Sequence, residues 1–169
     1  MQQFLDEPGA VLLVAALRAS STLTSLLLQG LRPLAAPVVV ALLGGLVAHC
    51  SLRSLDLSHT VLEIDAAAGA ALAALLAADA PALTDLGVAN CNLGAAGLGA
   101  LIDALPRNSH LRELDIRNNT VPAGFMRARL LPAVRGNTSL RDLRVGAYGE
   151  AANDNTLAQE EAKRIIAAR

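Results

Sequence analysis

Aromatic side chains are almost missing from this chain: it has one tyrosine, two phenylalanines and no tryptophan in 169 residues, although 53% of its residues are hydrophobic. Leu, Ala and Val must therefore fill the core, and few aromatic rings are available to stack nucleic-acid bases. Cysteine is scarce as well. Cys50 and Cys91 do not make a disulfide framework, and reduced thiols in a cytoplasmic protein are the expectation. The longest uncharged apolar run, residues 34–48, has 15 residues and contains Pro37, whereas a membrane-spanning helix needs about 20. The apolar run at residues 11–17 follows Asp6 and Glu7 instead of a basic segment, so no signal peptide is expected. A net charge of −1 speaks against a general nucleic-acid or membrane-surface role. Charge is also thin in the first half, where the basic residues before Thr84 are Arg18, Arg32 and Arg53.

One leucine pattern, by contrast, occurs five times: Leu23-Thr-Ser-Leu26-Leu-Leu28, Leu52-Arg-Ser-Leu55-Asp-Leu57, Leu83-Thr-Asp-Leu86-Gly-Val88, Leu111-Arg-Glu-Leu114-Asp-Ile116 and Leu140-Arg-Asp-Leu143-Arg-Val145. The first leucines lie 29, 31, 28 and 29 residues apart. Repetition at this period predicts an α/β solenoid, a leucine-rich-repeat horseshoe in which each unit gives one strand to a parallel sheet and one helix to the opposite side. Strands are expected near Leu26, Leu55, Leu86, Leu114 and Leu143. Helices are expected over residues 7–19, 37–48, 66–78 (with Asp65 as N-cap), 95–105 and 122–134, with Pro37 and Pro122 near helix starts. Gly30, Pro81, Asn108-Ser109 and Gly136-Asn137 punctuate the turns. Thr156-Leu-Ala-Gln159 predicts a capping box for a last helix to about residue 168.

The stretches Leu86-Gly-Val-Ala-Asn-Cys91-Asn-Leu93 and Leu114-Asp-Ile-Arg-Asn-Asn119-Thr-Val121 carry a family resemblance. With these unit lengths and Cys91 or Asn119 at the ninth position, the chain resembles the ribonuclease-inhibitor class of leucine-rich repeats. The resemblance implies that Cys91 and Asn119 turn inward and hydrogen-bond the loop backbone as a ladder between repeats. Leu31, Thr60 and Tyr148 depart at the same position, so the ladder is expected to break at both ends. It also implies a protein-binding scaffold, as in innate immune receptors, tropomodulins, Ran GTPase-activating proteins and bacterial effectors. A GTPase-activating regulator, or the target-recognition part of an effector delivered into a host cell or of a ubiquitin-ligase adaptor, are the alternatives. The expected division is repeats over residues 1–149, starting mid-repeat as the last part of a longer chain, and a capping helix over residues 150–169.

Residues between the strand leucines alternate to the concave face and stack in columns. One column reads Ser25, Ser54, Asp85, Glu113, Asp142, the next Leu27, Asp56, Gly87, Asp115, Arg144, and a third Gln29, Ser58, Ala89, Arg117, Gly146. Arg53, Arg112 and Arg141 flank them. Asp56, Asp85, Glu113, Asp115, Arg117, Asp142 and Arg144 are thus the candidate partner-binding residues. Two readings stand: an acidic groove edged by arginines that receives a basic segment, or arginines and carboxylates that pair and merely solvate the face. The expected partner is a protein, not nucleic acid or membrane.

The second and third helices carry no charge, which suggests either a covered face or tight packing of small residues. A homodimer through the N-terminal end (Val11, Leu12, Val14, Leu17, Leu26, Leu28) or through these helices is a further expectation. Nothing in the chain reads as catalytic, and no cofactor or metal is expected. His49, His59 and His110 look equivalent in the turns and lack ligand or triad spacing. Cys91 falls in the core, where a thiol is inert. Gly94-Ala-Ala-Gly97-Leu-Gly99 lacks phosphate-loop spacing. Arg127, Arg129, Arg135, Arg141 and Arg144 lack the interleaved aromatics of an RNA-binding patch.

Overall fold

The computed structural model describes residues 7–30, 36–47, 49–60, 66–78, 83–146 and 152–169. Asp65, Pro81, Leu31, Tyr148 and the proposed boundary at residue 149 lie outside them. Among the described residues, strands β1 (Ser25–Leu27), β2 (Ser54–Asp56), β3 (Asp85–Gly87), β4 (Glu113–Asp115) and β5 (Asp142–Arg144) form one parallel sheet in chain order. Helices α1 (Glu7–Ala19), α2 (Ala36–Leu46), α3 (Ala66–Ala77), α4 (Gly94–Ala104), α5 (Leu131–Gly136) and α6 (Ala152–Ala167) alternate with the strands.

The register pairs Leu26 with Leu55, Leu55 with Leu86, Leu86 with Leu114 and Leu114 with Leu143. Every repeat thus sets its leucines in one continuous core, which is how a thin aliphatic layer escapes water. Leu55, Leu86, Leu114 and Leu143 are buried, whereas Leu26 of the first repeat is half-buried. Helices dock on the same core through period-3.6 stripes: Val39, Leu42, Leu43 and Leu46 in α2, and Leu72, Leu75 and Leu76 in α3. The outward face of α3 is alanine (Ala66, Ala67, Ala70, Ala74), which favours helix and leaves a small, weakly apolar surface. Val11, Leu12 and Leu27 at the first repeat are about two-thirds exposed.

Two helix starts differ from expectation. Helix geometry after β4 begins not at Pro122 but beyond Gly124, whose φ is +73°, and opens as a π turn, Met126–Leu130. Pro132 explains the wide turn, because it has no N–H for the Ala128 carbonyl and its ring crowds that carbonyl; the Leu131 amide bonds Met126 O instead. The start is braced from the next layer, where buried Asn155 accepts the Met126 amide (3.2 Å) and donates to Pro122 O (3.3 Å). Likewise, α6 begins at Ala152, so Thr156 sits inside the helix and does not cap it.

Candidate interaction face

The sheet's backbone ladder runs well past its three-residue strands. At the second position of each repeat, Arg53, Thr84, Arg112 and Arg141 donate their amides to the carbonyls of Thr24, Arg53, Thr84 and Arg112, all at 2.7–2.8 Å. At the eighth position, Gly30, His59, Asn90 and Asn118 donate to Ser58, Ala89, Arg117 and Gly146. All four of these residues have φ between +54° and +69°, the left-handed turn that Gly and Asn tolerate best. His59 occupies one of these turns, His49 is buried before β2, and His110 is exposed directly before Leu111, so the three histidines are not equivalent.

Below the turns runs the inward ladder. Asn119 is 2% exposed, donates to Val88 O (2.9 Å) and Ile116 O (3.1 Å), and accepts the Leu93 amide (3.1 Å). Cys91 Sγ donates to Leu57 O (3.1 Å), and burial pushes its thiol up to about 12. Thr60 does not break the series. Its hydroxyl donates to Leu28 O at 2.8 Å, the carbonyl equivalent to Leu57 O and Val88 O in the preceding repeat. A second ladder, not anticipated from the sequence, lies where helices return to strands. Asn108 donates to Leu76 O (3.0 Å) and accepts the Leu111 amide (2.7 Å); Asn137 donates to Leu105 O (2.8 Å) and accepts the Leu140 amide (2.8 Å). The signal was there to read, since both asparagines stand three residues before the first leucine of a repeat.

These two ladders tie each strand to the next, and the outward residues stand in register: Ser54 opposite Asp85, Asp85 opposite Glu113, Asp56 opposite Gly87 and Gly87 opposite Asp115. A groove of about 210 Å³ runs over them, lined among others by Asp56, Asp85, Glu113, Asp115, Asp142 and Arg144. Gly87 forms its floor, and a Cβ there would displace the side chains beside it, since it would lie 2.6 Å from Asp56 Oδ1 and 3.0 Å from Ser58 Oγ. Burial works to raise the Asp56 carboxyl, but the Ser58 hydroxyl and amide, the Gln29 amide and the nearby His59 together hold it below the usual carboxylate range. The Ser58 amide bond measures 2.8 Å.

Ion pairing is uneven along the groove. Arg117 binds Asp115 through Nε (3.0 Å) and Nη2 (2.6 Å), and Arg144 reaches Asp142 (3.0 Å) and Glu113 (3.6 Å). Asp56 and Asp85 have no arginine or lysine partner among the described residues; their hydrogen-bond donors are Gln29 and Ser58 for Asp56 and Thr84 for Asp85. Mutual neutralisation therefore describes the fourth and fifth repeats, while the second and third stay acidic. All seven candidate residues lie on one face; Cys91 and Asn119 lie beneath it. Among the described residues no three His, Cys, Asp or Glu side chains are placed to hold a metal, and no helix is long and apolar enough to cross a membrane.

A family model described as "Leucine Rich repeat" matches residues 107–121, the turn into β4 and its loop. No curated protein matches the sequence. Among solved structures, leiomodin-1 actin-binding site 2 superposes with a TM-score of 0.76 at 18% identity, over 98% of this chain and 91% of that one. The tropomodulin C-terminal domain of Caenorhabditis elegans gives 0.70 at 17% identity, over 95% of this chain and 96% of that one. At such identities the likeness is one of fold, and it extends over nearly the whole chain. Together with the five-repeat register and the family match, it shows that this chain has the leucine-rich-repeat fold.

Proposed function

We propose that the chain is a non-enzymatic protein-interaction module, working inside the cell, whose strand face receives a basic segment of a protein partner. The observation that carries this reading is the glycine-floored groove, where Asp56 and Asp85 face outward with no arginine or lysine partner among the described residues. A lysine or arginine laid over Gly87 would meet Asp56 on the neighbouring strand and Asp85 on the same strand, and charge complementarity would fix its register. The Asp56 carboxylate, already held by hydrogen bonds from Ser58 and Gln29, needs no rearrangement to accept it.

Fold likeness to leiomodin-1 actin-binding site 2 supports a second, narrower reading with actin as the partner. One experiment tests both. Monomeric actin and an arginine-rich peptide are titrated against the chain and against an Asp85→Lys, Glu113→Lys double variant, with Asp103→Lys on the helical side as control. Loss of peptide binding in the double variant alone supports the groove. Undiminished binding in that variant overturns it, and actin binding decides the narrower reading separately.

A further inference from the structure

A second cavity, of about 480 Å³, opens between β5 and α6 at the far end of the sheet from β1. Leu143 and Val145 on the strand side and Ile166 on the helix give it an apolar floor. Arg117, Arg141, Arg144 and Lys163 stand around that floor, and Asp142 is the single carboxylate among the lining residues. Basic residues thus outnumber acidic ones in the wall, which borders the acidic groove and shares Asp142 and Arg144 with it.

We propose that this cavity seats an acidic segment of a protein partner, with an apolar side chain on the Leu143 and Ile166 floor and flanking carboxylates against Arg141 and Lys163. Arg141 donates from Nη1 to the carbonyls of Thr138 (3.0 Å) and Leu140 (3.2 Å) and has no carboxylate partner among the described residues, so its charge stands uncompensated. Lys163 is bound to Glu160 at 3.0 Å, but both side chains are about half exposed, and an exposed pair of this kind yields readily to a better-placed anion. Arg144 is in the same position, half exposed and paired with Asp142 at the surface, whereas Arg117 is tied more firmly to the largely buried Asp115. Its half-open, concave shape over an apolar floor suits a protruding side chain better than a flat lipid surface. None of its described lining residues is aromatic, so these give a nucleic-acid base nothing to stack on.

The inference goes beyond the acidic-groove reading and does not depend on it, because Arg141 and Lys163 line the second cavity only. The test uses two fluorescein-labelled peptides, one alternating Glu with Leu and one alternating Gln with Leu, titrated by anisotropy against the whole chain. The Glu peptide is expected to bind, to weaken with added salt, and to bind the Arg141→Gln, Lys163→Gln double variant about tenfold less well. The arginine-rich peptide should bind that variant as it binds the parent chain. Equal binding of the Gln peptide overturns the proposal on the unmodified protein alone. Unchanged affinity in the variant, or displacement of the Glu peptide by single-stranded RNA or by inorganic phosphate at equal concentration, overturns it as well.

Discussion

A Cβ placed on Gly69 would lie 2.2 Å from Gly97 Cα, so α3 and α4 meet backbone to backbone at this point. The relationship is one-sided, because a Cβ on Gly97 would meet Leu93 at 3.5 Å and Gly69 Cα at 3.6 Å, ordinary packing distances. Gly69→Ala should therefore force the helices apart and lower stability by about 1–3 kcal/mol. Gly97→Ala should be neutral or gain up to about 1 kcal/mol from helix propensity. Urea denaturation midpoints of the two variants check this; equal losses would mean the helices do not touch here.

Thr60 contributes to the ladder through a single hydroxyl. Thr60→Val keeps the shape but strands Leu28 O, and a loss of about 1 kcal/mol is expected. Asn119→Leu strands Val88 O and the Leu93 amide together and should cost more, about 1–3 kcal/mol for each buried group left without a partner. Chemical denaturation ranks the pair, and a Thr60→Val midpoint equal to the parent's would remove Thr60 from the ladder.

The two thiols should differ sharply in reactivity. Cys50 is exposed, whereas Cys91 is fully buried with its thiol pushed up to about 12. A thiol-specific chromogenic reagent at pH 8 should consume one thiol per chain quickly and the second only on addition of denaturant. Two thiols reacting at one rate in the native protein would contradict the burial of Cys91.

Asp56 should leave a mark on acid stability. Its folded-state carboxyl lies below the ordinary 3.8, so its contribution is fully present above that value and is lost as pH falls through the depressed folded pKa. The stability difference between the parent and Asp56→Asn should be flat from neutral pH to about 5 and shrink below about 4. Thermal unfolding across that range is the measurement, and a difference that grows on acidification would reverse the assigned sign.

Gly87 should govern access to the groove more than stability. The atoms in the way of a Cβ belong to the mobile ends of Asp56 and Ser58, so Gly87→Ala should swing the Asp56 carboxylate aside and leave the fold intact. Binding of an arginine-rich peptide should weaken by roughly three- to tenfold, with circular dichroism unchanged. Unaltered binding would place the contact elsewhere on the face.

The strands and their register were legible because leucine burial at a fixed spacing admits one arrangement: Leu55 and Leu114 cannot share a core in any other pairing. The outward columns followed from strand alternation alone. Thr60 was misjudged because a hydroxyl in place of an amide breaks the lettering of the repeat but not its hydrogen bond. Asn108 and Asn137 were read only as turn residues, although their spacing to Leu111 and Leu140 is the same. The π turn was hidden because Pro132 acts on the carbonyl of a residue four positions back, which local propensity does not register. Which carboxylates stay unpaired was not legible either, since Arg117 and Arg144 reach their partners through side-chain rotamers that spacing leaves undetermined.

The ladders that run from each repeat to the next also set how the molecule comes apart. Since every repeat is stitched only to its neighbours, the array behaves like a zipper, whose ease of opening at each end is decided by the last layer. At one end that layer is poorly sheltered: Leu23, Leu26 and Leu28 are half-buried, and Val11 and Leu12 stand in water. At the other, α6 locks over β5 and α5, and Arg169 reaches the carbonyls of Val134 and Leu140. Deuterium should therefore enter as a front that advances from β1 toward β5, giving the molecule a direction of unravelling although its repeats are nearly alike.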